Sequence, residues 1–202
     1  SKTKWIESQP LKGNETKDIF IELGKTVAQL HEATQNLSIP THLSPKKWNK
    51  VFYFCNEKVV YKENKYRHLL NGEFIDLLDQ LIPYLDHQLH KLYKNRTPQL
   101  IHADLNPWNV RLHQGKIAIL DFEDAVLGFP IQDIATLLFY YNTEEEFSYQ
   151  QVLDGLIQGY NQIEKFPDFS KYDLELYFTA RQVNFLNYAL TLGDEYQEFV
   201  LN

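Results

Sequence analysis

The chain has 202 residues, 44% of them hydrophobic and 23% charged, with a formal net charge of −7, which is enough for one domain with a proper core or for one large lobe of something bigger. Phosphate backbones are bound by concentrated Lys and Arg, so the acidic balance argues against a nucleic-acid partner. No apolar run approaches the roughly 18 residues of a membrane span, the N-terminal "SKTKWIESQP" lacks the hydrophobic stretch of a signal peptide, and the single Cys55 cannot form an internal disulfide; together these point to a cytoplasmic protein with no membrane partner.

In chain order, residues 1–13 read as extended, and the Asn14–Thr16 cluster offers caps for a helix over about 17–35 with Phe20, Leu23, Val27 and Leu30 on one face. His31 reads as a packed helix residue. Ser38–Pro45, with two prolines, reads as a loop, and residues 48–72 fit no single element. A long amphipathic helix is predicted over Glu73–Tyr93, with Phe74, Leu78, Leu81, Leu85, Leu89 and Leu92 on its buried face and a bend at Pro83. Short apolar runs follow at Gln99–His102, Val110–Leu112 and "IAILDFED", with Gly115 turning between the last two. Beyond Pro130 the pattern is helical, in segments of about 131–142, 145–163 and 170–191, and Gly155 and Gly159 allow close helix packing. The predicted fold class is α+β, predominantly helical, with one small central β-hairpin.

The stretch "IHADLNPWN" sets Asp104 and Asn109 five residues apart in a polar loop, and the next apolar run ends at Asp121. Phosphoryl transfer to a hydroxyl needs an acceptor-orienting base and ligands for a magnesium ion that neutralises the phosphates. Magnesium takes hard oxygen donors, a few from the protein and the rest from phosphate and water. Asp104 can accept a hydrogen bond from the attacking hydroxyl, while the Asn109 amide oxygen and the Asp121 carboxylate hold the metal. A pair of turns rich in capping residues accounts for each residue singly, but not for H-x-D-x4-N followed by a strand that ends in D-F.

These residues, "LIHADLNPWNV…IAILDFEDAVLGFPIQDIA", resemble the catalytic core of the aminoglycoside phosphotransferase and choline kinase superfamily, the small-molecule relatives of protein kinases. The likeness is specific over about 99–138 and looser at "TKWIESQPL", which looks like the family's hinge, and at "LGKTVAQLHEA", which looks like its following helix. It implies Asp104 as catalytic base, Asn109 and Asp121 as Mg2+ ligands, Glu123 as an extra metal contact, His102 as a structural member of the loop and Asp133 as its brace from the next helix. ATP would be the second cofactor, its adenine held by main chain near Lys4 and Ile6. The usual loop reads H-G-D-x-H-x-G-N, and here Ala103, Asn106 and Trp108 stand for Gly, His and Gly.

Members also carry a glycine-rich loop and a phosphate-pairing lysine in an N-terminal β lobe, and none of the eight glycines here has G-x-G spacing. The resemblance therefore implies a hinge-like segment at 1–13 and a C-terminal lobe over 14–202, with the N-terminal ATP lobe absent from the chain and little turnover by the lobe alone. The implied function is an ATP-dependent phosphotransferase for a small-molecule alcohol; a catalytically weak, kinase-like binding or regulatory module is the alternative. In the family the acceptor sits against the helices after the metal-binding strand. Here residues 121–202 hold 15 Asp and Glu against 3 Lys and Arg. A solvated acidic face is the plainer reading of that imbalance, and a cavity for a divalent metal or cationic substrate is the sharper one, which favours an amine-bearing alcohol, with Tyr177 and Tyr188 as aromatic faces for a cation. Arg181 and Asn184, one turn apart, would instead suit a carboxylate or hydroxyl.

Overall fold

A computed structural model describes residues 8–40, 42–53, 58–142 and 146–192. It is a helix-rich α+β arrangement: β1 (Gln9–Pro10), α1 (Lys17–Gln35), α2 (Gly72–Asn95), β2 (Gln99–Ile101), β3 (Val110–His113), β4 (Lys116–Ile119), β5 (Val126–Gly128), α3 (Pro130–Phe139), α4 (Tyr149–Tyr160) and α5 (Lys171–Ala189). No helix among the described residues is long and apolar enough to cross a membrane.

The helices begin where short polar side chains satisfy the free N–H groups of a first turn. Thr16 Oγ1 accepts from the Ile19 N–H and Asn71 Oδ1 from that of Phe74, and Ser148 with Gln151 and Ser170 with Asp173 form reciprocal caps. These caps set the starts of α4 and α5 at Tyr149 and Lys171, and both helices end two or three residues short of the predicted limits. Helix α2 continues through Pro83. Its buried stripe is Leu78, Ile82, Leu85 and Leu89, whereas Phe74 is exposed and Leu81 and Leu92 are half-buried. The 4-3-4 spacing of that stripe keeps one narrow face on the core.

Two small sheets carry the loops. The predicted hairpin exists as β3–β4, with Gln114 and Gly115 at positive φ in its turn. It gains β1 as a third strand, with Gln9 opposite Leu112 and Pro10 opposite Arg111. The run at Gln99–His102 stands outside that sheet and pairs, through β2, antiparallel with β5, a three-residue strand after "DFED" that the sequence reading does not single out.

Helices α1 and α4 pack closely because glycines face the opposing helix: Gly24 against the Leu156 backbone, Gly155 against Phe20 and Gly159 against the Ile21 backbone. A Cβ at Gly159 would meet the Ile21 carbonyl. The irregular segment after residue 46 is held by long-range contacts. The Val51 N–H donates to Asp86 Oδ1, and Asn187 of α5 binds Lys58, Val60 and Tyr61 through its amide. Trp48, fully buried, stacks on Tyr53 at 4.7 Å between ring centres.

Candidate active site

Strand β2 delivers the chain to a loop that its neighbours hold rigidly. Asp133, in the first turn of α3, accepts the His102 N–H at 3.0 Å on Oδ2 and the Ala103 N–H at 2.7 Å on Oδ1. The same Oδ2 lies 3.0 Å from His31 Nε2, whose other ring nitrogen meets the Tyr160 hydroxyl at 3.1 Å. A buried carboxylate is tolerable only when such donors replace its water, and the helix N-terminus adds a favourable dipole. Ala103 takes φ 67°, the left-handed region that costs a non-glycine residue about 1 kcal/mol. The carboxylate that grips its N–H holds it there.

His102 links the two limbs of the site. Its Nε2 lies 2.8 Å from the Leu120 carbonyl, which makes that nitrogen the donor, and its Nδ1 then accepts the Asp104 N–H at 3.3 Å. Its ring packs edge-on against Phe122 at 4.7 Å. The Leu120 N–H donates to the Asn109 carbonyl at 2.8 Å, so the residue before Asp121 is tied at both backbone groups to the loop that carries Asp104.

Asp104 is held on both oxygens. Oδ2 accepts from Asn106 Nδ2 at 2.9 Å and from Asn109 Nδ2 at 3.0 Å, while Oδ1 accepts from Arg181 Nη2 at 3.0 Å. Asn106 closes the turn, because its Oδ1 accepts the N–H groups of Trp108 and Asn109, each at 3.0 Å. Asn109 spends its amide nitrogen on the carboxylate and carbonyl of Asp104, and among the described residues its amide oxygen makes no hydrogen bond. That oxygen is the hard neutral donor a magnesium site uses. Trp108 is exposed and edge-packed on Tyr140 at 5.4 Å.

Asp121 follows β4 at φ 63° and is exposed, as is Glu123. Asp124 is half-buried. Burial pushes the Asp124 carboxyl above the usual carboxylate range and the Asp104 and Asp121 carboxylates push it further, against Lys46 and Arg181. It therefore feels both limbs of the site, which its place in "DFED" does not reveal. Among the described residues no three His, Cys, Asp or Glu side chains converge on a metal position. A metal here would lean on the Asn109 amide and on ligand oxygens, as magnesium does.

The remaining candidates scatter. Tyr177 is fully buried, its ring 5.9 Å from that of Trp48, and Asn184 is buried on the same helix. Arg181 is buried on Asp104, and Tyr188 is exposed beside Phe185. Lys4 and Ile6 lie outside the described residues. Sequence reasoning missed Asn106 as the turn-closing residue, the His31–Asp133 pair, Asp124, and Tyr140, whose hydroxyl accepts from Arg181 at 3.1 Å.

A braced loop bearing Asp104 and Asn109, joined through His102 to the segment that follows β4 and carries Asp121, is the arrangement expected of a phosphotransferase core. The chain belongs to the phosphotransferase enzyme family, whose model matches residues 3–169. Among solved structures it resembles the amicoumacin kinase hAmiN in complex with AMP-PNP, Ca2+ and Ami, with a TM-score of 0.72 and 18% identity over 98% of this chain and 60% of that one. It also resembles a microcompartment-associated aminopropanol kinase (TM-score 0.64, 20% identity, 92% of this chain and 58% of that one) and a choline kinase from Cryptosporidium parvum Iowa II (0.62, 15%, 98% and 67%). The likeness shows the fold, and the chain spans about 60% of the length of the first two. No curated protein sequence matches it.

Proposed function

We propose that this chain is the C-terminal lobe, over residues 14–202, of an ATP-dependent kinase that phosphorylates a hydroxyl of a small amine-bearing alcohol, with an N-terminal ATP lobe supplied by sequence beyond it. Asp104 is the base. It takes the proton as the acceptor oxygen bonds to the γ-phosphorus, while the bond to the bridging oxygen breaks and ADP leaves with the electron pair. Asn109, Asp121 and Glu123 hold Mg2+, which neutralises phosphate charge when bound. His102 and Asp133 keep the loop in place, and the main chain near Lys4 and Ile6 receives adenine. The observation that carries this reading is the commitment of the Asn109 amide nitrogen to Asp104, which leaves the amide oxygen for the metal beside a carboxylate held in place.

The choice of acceptor class is supported by two features. Two of the similar structures are an aminopropanol kinase and a choline kinase, and the half-buried Asp124 adds a third carboxylate near Asp104 and Asp121, a setting that concentrates cations. Tyr188 is an exposed aromatic ring of α5, beside Phe185, whereas the burial of Tyr177, Arg181 and Asn184 leaves them behind the surface. The decisive experiment compares Asp104→Asn with the parent in the full-length protein. Thermal-shift titration with Mg-ATP should be nearly unchanged, and turnover on a panel of amine-bearing, neutral and anionic alcohols should fall roughly 100-fold or more. Unaltered turnover would remove Asp104 from the role, and the absence of any Mg-ATP response in the parent would favour the weak binding module.

A further inference from the structure

Helix α5 buries a guanidinium with no apolar reason to be there. Arg181 is 8% exposed at its side chain, and Asp104, its partner, is 26% exposed. Its Nη2 donates to Asp104 Oδ1 at 3.0 Å and to the Tyr140 hydroxyl at 3.1 Å. Burying a guanidinium costs several kcal/mol unless a partner compensates. The charge is kept: burial works against it, and Tyr140, Tyr53 and Asp104 outweigh burial. The pair spans 77 residues of sequence and ties α5 to the catalytic loop.

The geometry divides the Asp104 carboxylate. One oxygen belongs to the loop, through Asn106 and Asn109, and the other belongs to Arg181. A carboxylate held only on one oxygen can rotate about its last torsion, which is broad. Gripped from both sides, it has one plane. Each carboxylate oxygen offers about two acceptor sites, so Oδ1 keeps one for an incoming hydroxyl, whose approach is then set by Arg181.

We propose that Arg181 is a positioning residue for phosphoryl transfer: from α5, with Tyr140 steadying the guanidinium, it fixes Asp104 Oδ1 toward the acceptor hydroxyl, and it does not itself bind the acceptor. The inference rests on Asp104 being the base. Misplacing a reacting group by about 1 Å costs on the order of 100-fold in rate, so the role reads out in turnover.

The test uses the full-length protein with ethanolamine, aminopropanol and choline as acceptor probes and ADP release to water as the baseline. Arg181→Gln should lower kcat roughly 10- to 100-fold, with acceptor KM and Mg-ATP affinity changed less than about 3-fold. Arg181→Lys should recover part of the loss, since an ammonium is a point charge that cannot fork between Asp104 and Tyr140. Tyr140→Phe should lose less than Arg181→Gln. On an Asp104→Asn background Arg181→Gln should have almost no further effect, because the two act as one unit. If none of the probes is phosphorylated, ADP release to water carries the same comparisons. A rise in KM at constant kcat would make Arg181 an acceptor contact and overturn the proposal. Loss of folded protein in Arg181→Gln, with full kcat in Arg181→Lys and Tyr140→Phe, would make the arginine merely structural and overturn it too. Retained turnover in Asp104→Asn alone would sink the base assignment, whereas loss in Asp104→Asn with none in Arg181→Gln would sink only this inference.

Discussion

The two limbs of the site are built differently. In the loop from His102 to Asn109, Asp104 has both oxygens hydrogen-bonded, Asn106 uses its whole amide, and His102 and Ala103 are fully buried. In the segment from Asp121 to Asp124, Phe122 and three of the side chains' carboxylates face solvent or lie half-buried, with no hydrogen bond to any of those carboxylates among the described residues. The chain thus organises the limb that bears the proposed base itself, and on the proposed reading it leaves the carboxylate limb to be completed by what binds there. A base must be aimed before the substrate arrives, whereas charges meant for a cation gain by being unpartnered beforehand.

The largest effect that would break this contrast is expected at Asp133. Asp133→Ala strands the N–H groups of His102 and Ala103 and the buried His31 ring, and breaking a buried pair of this kind costs about 3–5 kcal/mol. Chemical denaturation should show that loss; a cost below about 1 kcal/mol would mean that the loop holds itself. A smaller effect is expected at Asn106, whose replacement by alanine removes the turn-closing acceptor and one grip on Asp104. It should cost about 1–2 kcal/mol, with turnover of the full-length protein down roughly 10-fold at constant Mg-ATP affinity. The smallest effect on stability is expected at Asp121. Asp121→Ala should shift stability by less than about 1 kcal/mol, the scale of a left-handed alanine, while abolishing magnesium-dependent nucleotide binding by the full-length protein. If it destabilised the chain as much as Asn106→Ala, the two limbs would not differ as described.

Much of the site was legible because its parts are close in sequence. Asp104, Asn109 and Asp121 fall within 18 residues, and the only tertiary fact needed to relate them is a hairpin that Gly115 announces. The family's glycine at position 103 also has a local reason, since the backbone there sits at positive φ and alanine fills it under restraint. Trp108, standing where the family has glycine, turns its ring outward onto Tyr140 and leaves the Asn109 amide on Asp104 undisturbed. Arg181 was singled out for its place on a helix one turn from Asn184. Helical spacing does not tell whether such a pair faces a ligand or a carboxylate of another element, and here the arginine faces Asp104.

What the sequence determined alone is local: where α1, α2, α4 and α5 run, through apolar periodicity and capping side chains, and which oxygen-bearing residues share one loop and one strand end. Short-range patterns encode these because their energies depend on neighbours within a turn or two. Tertiary structure decided the rest. It paired β2 with β5, set His31 of α1 on Asp133 of α3, and brought Arg181 of α5 to Asp104, contacts separated by 102 and 77 residues. Burial decides such partnerships, because a charge withdrawn from water must find its counterpart wherever the packing of glycine-faced helices and a shared core puts one.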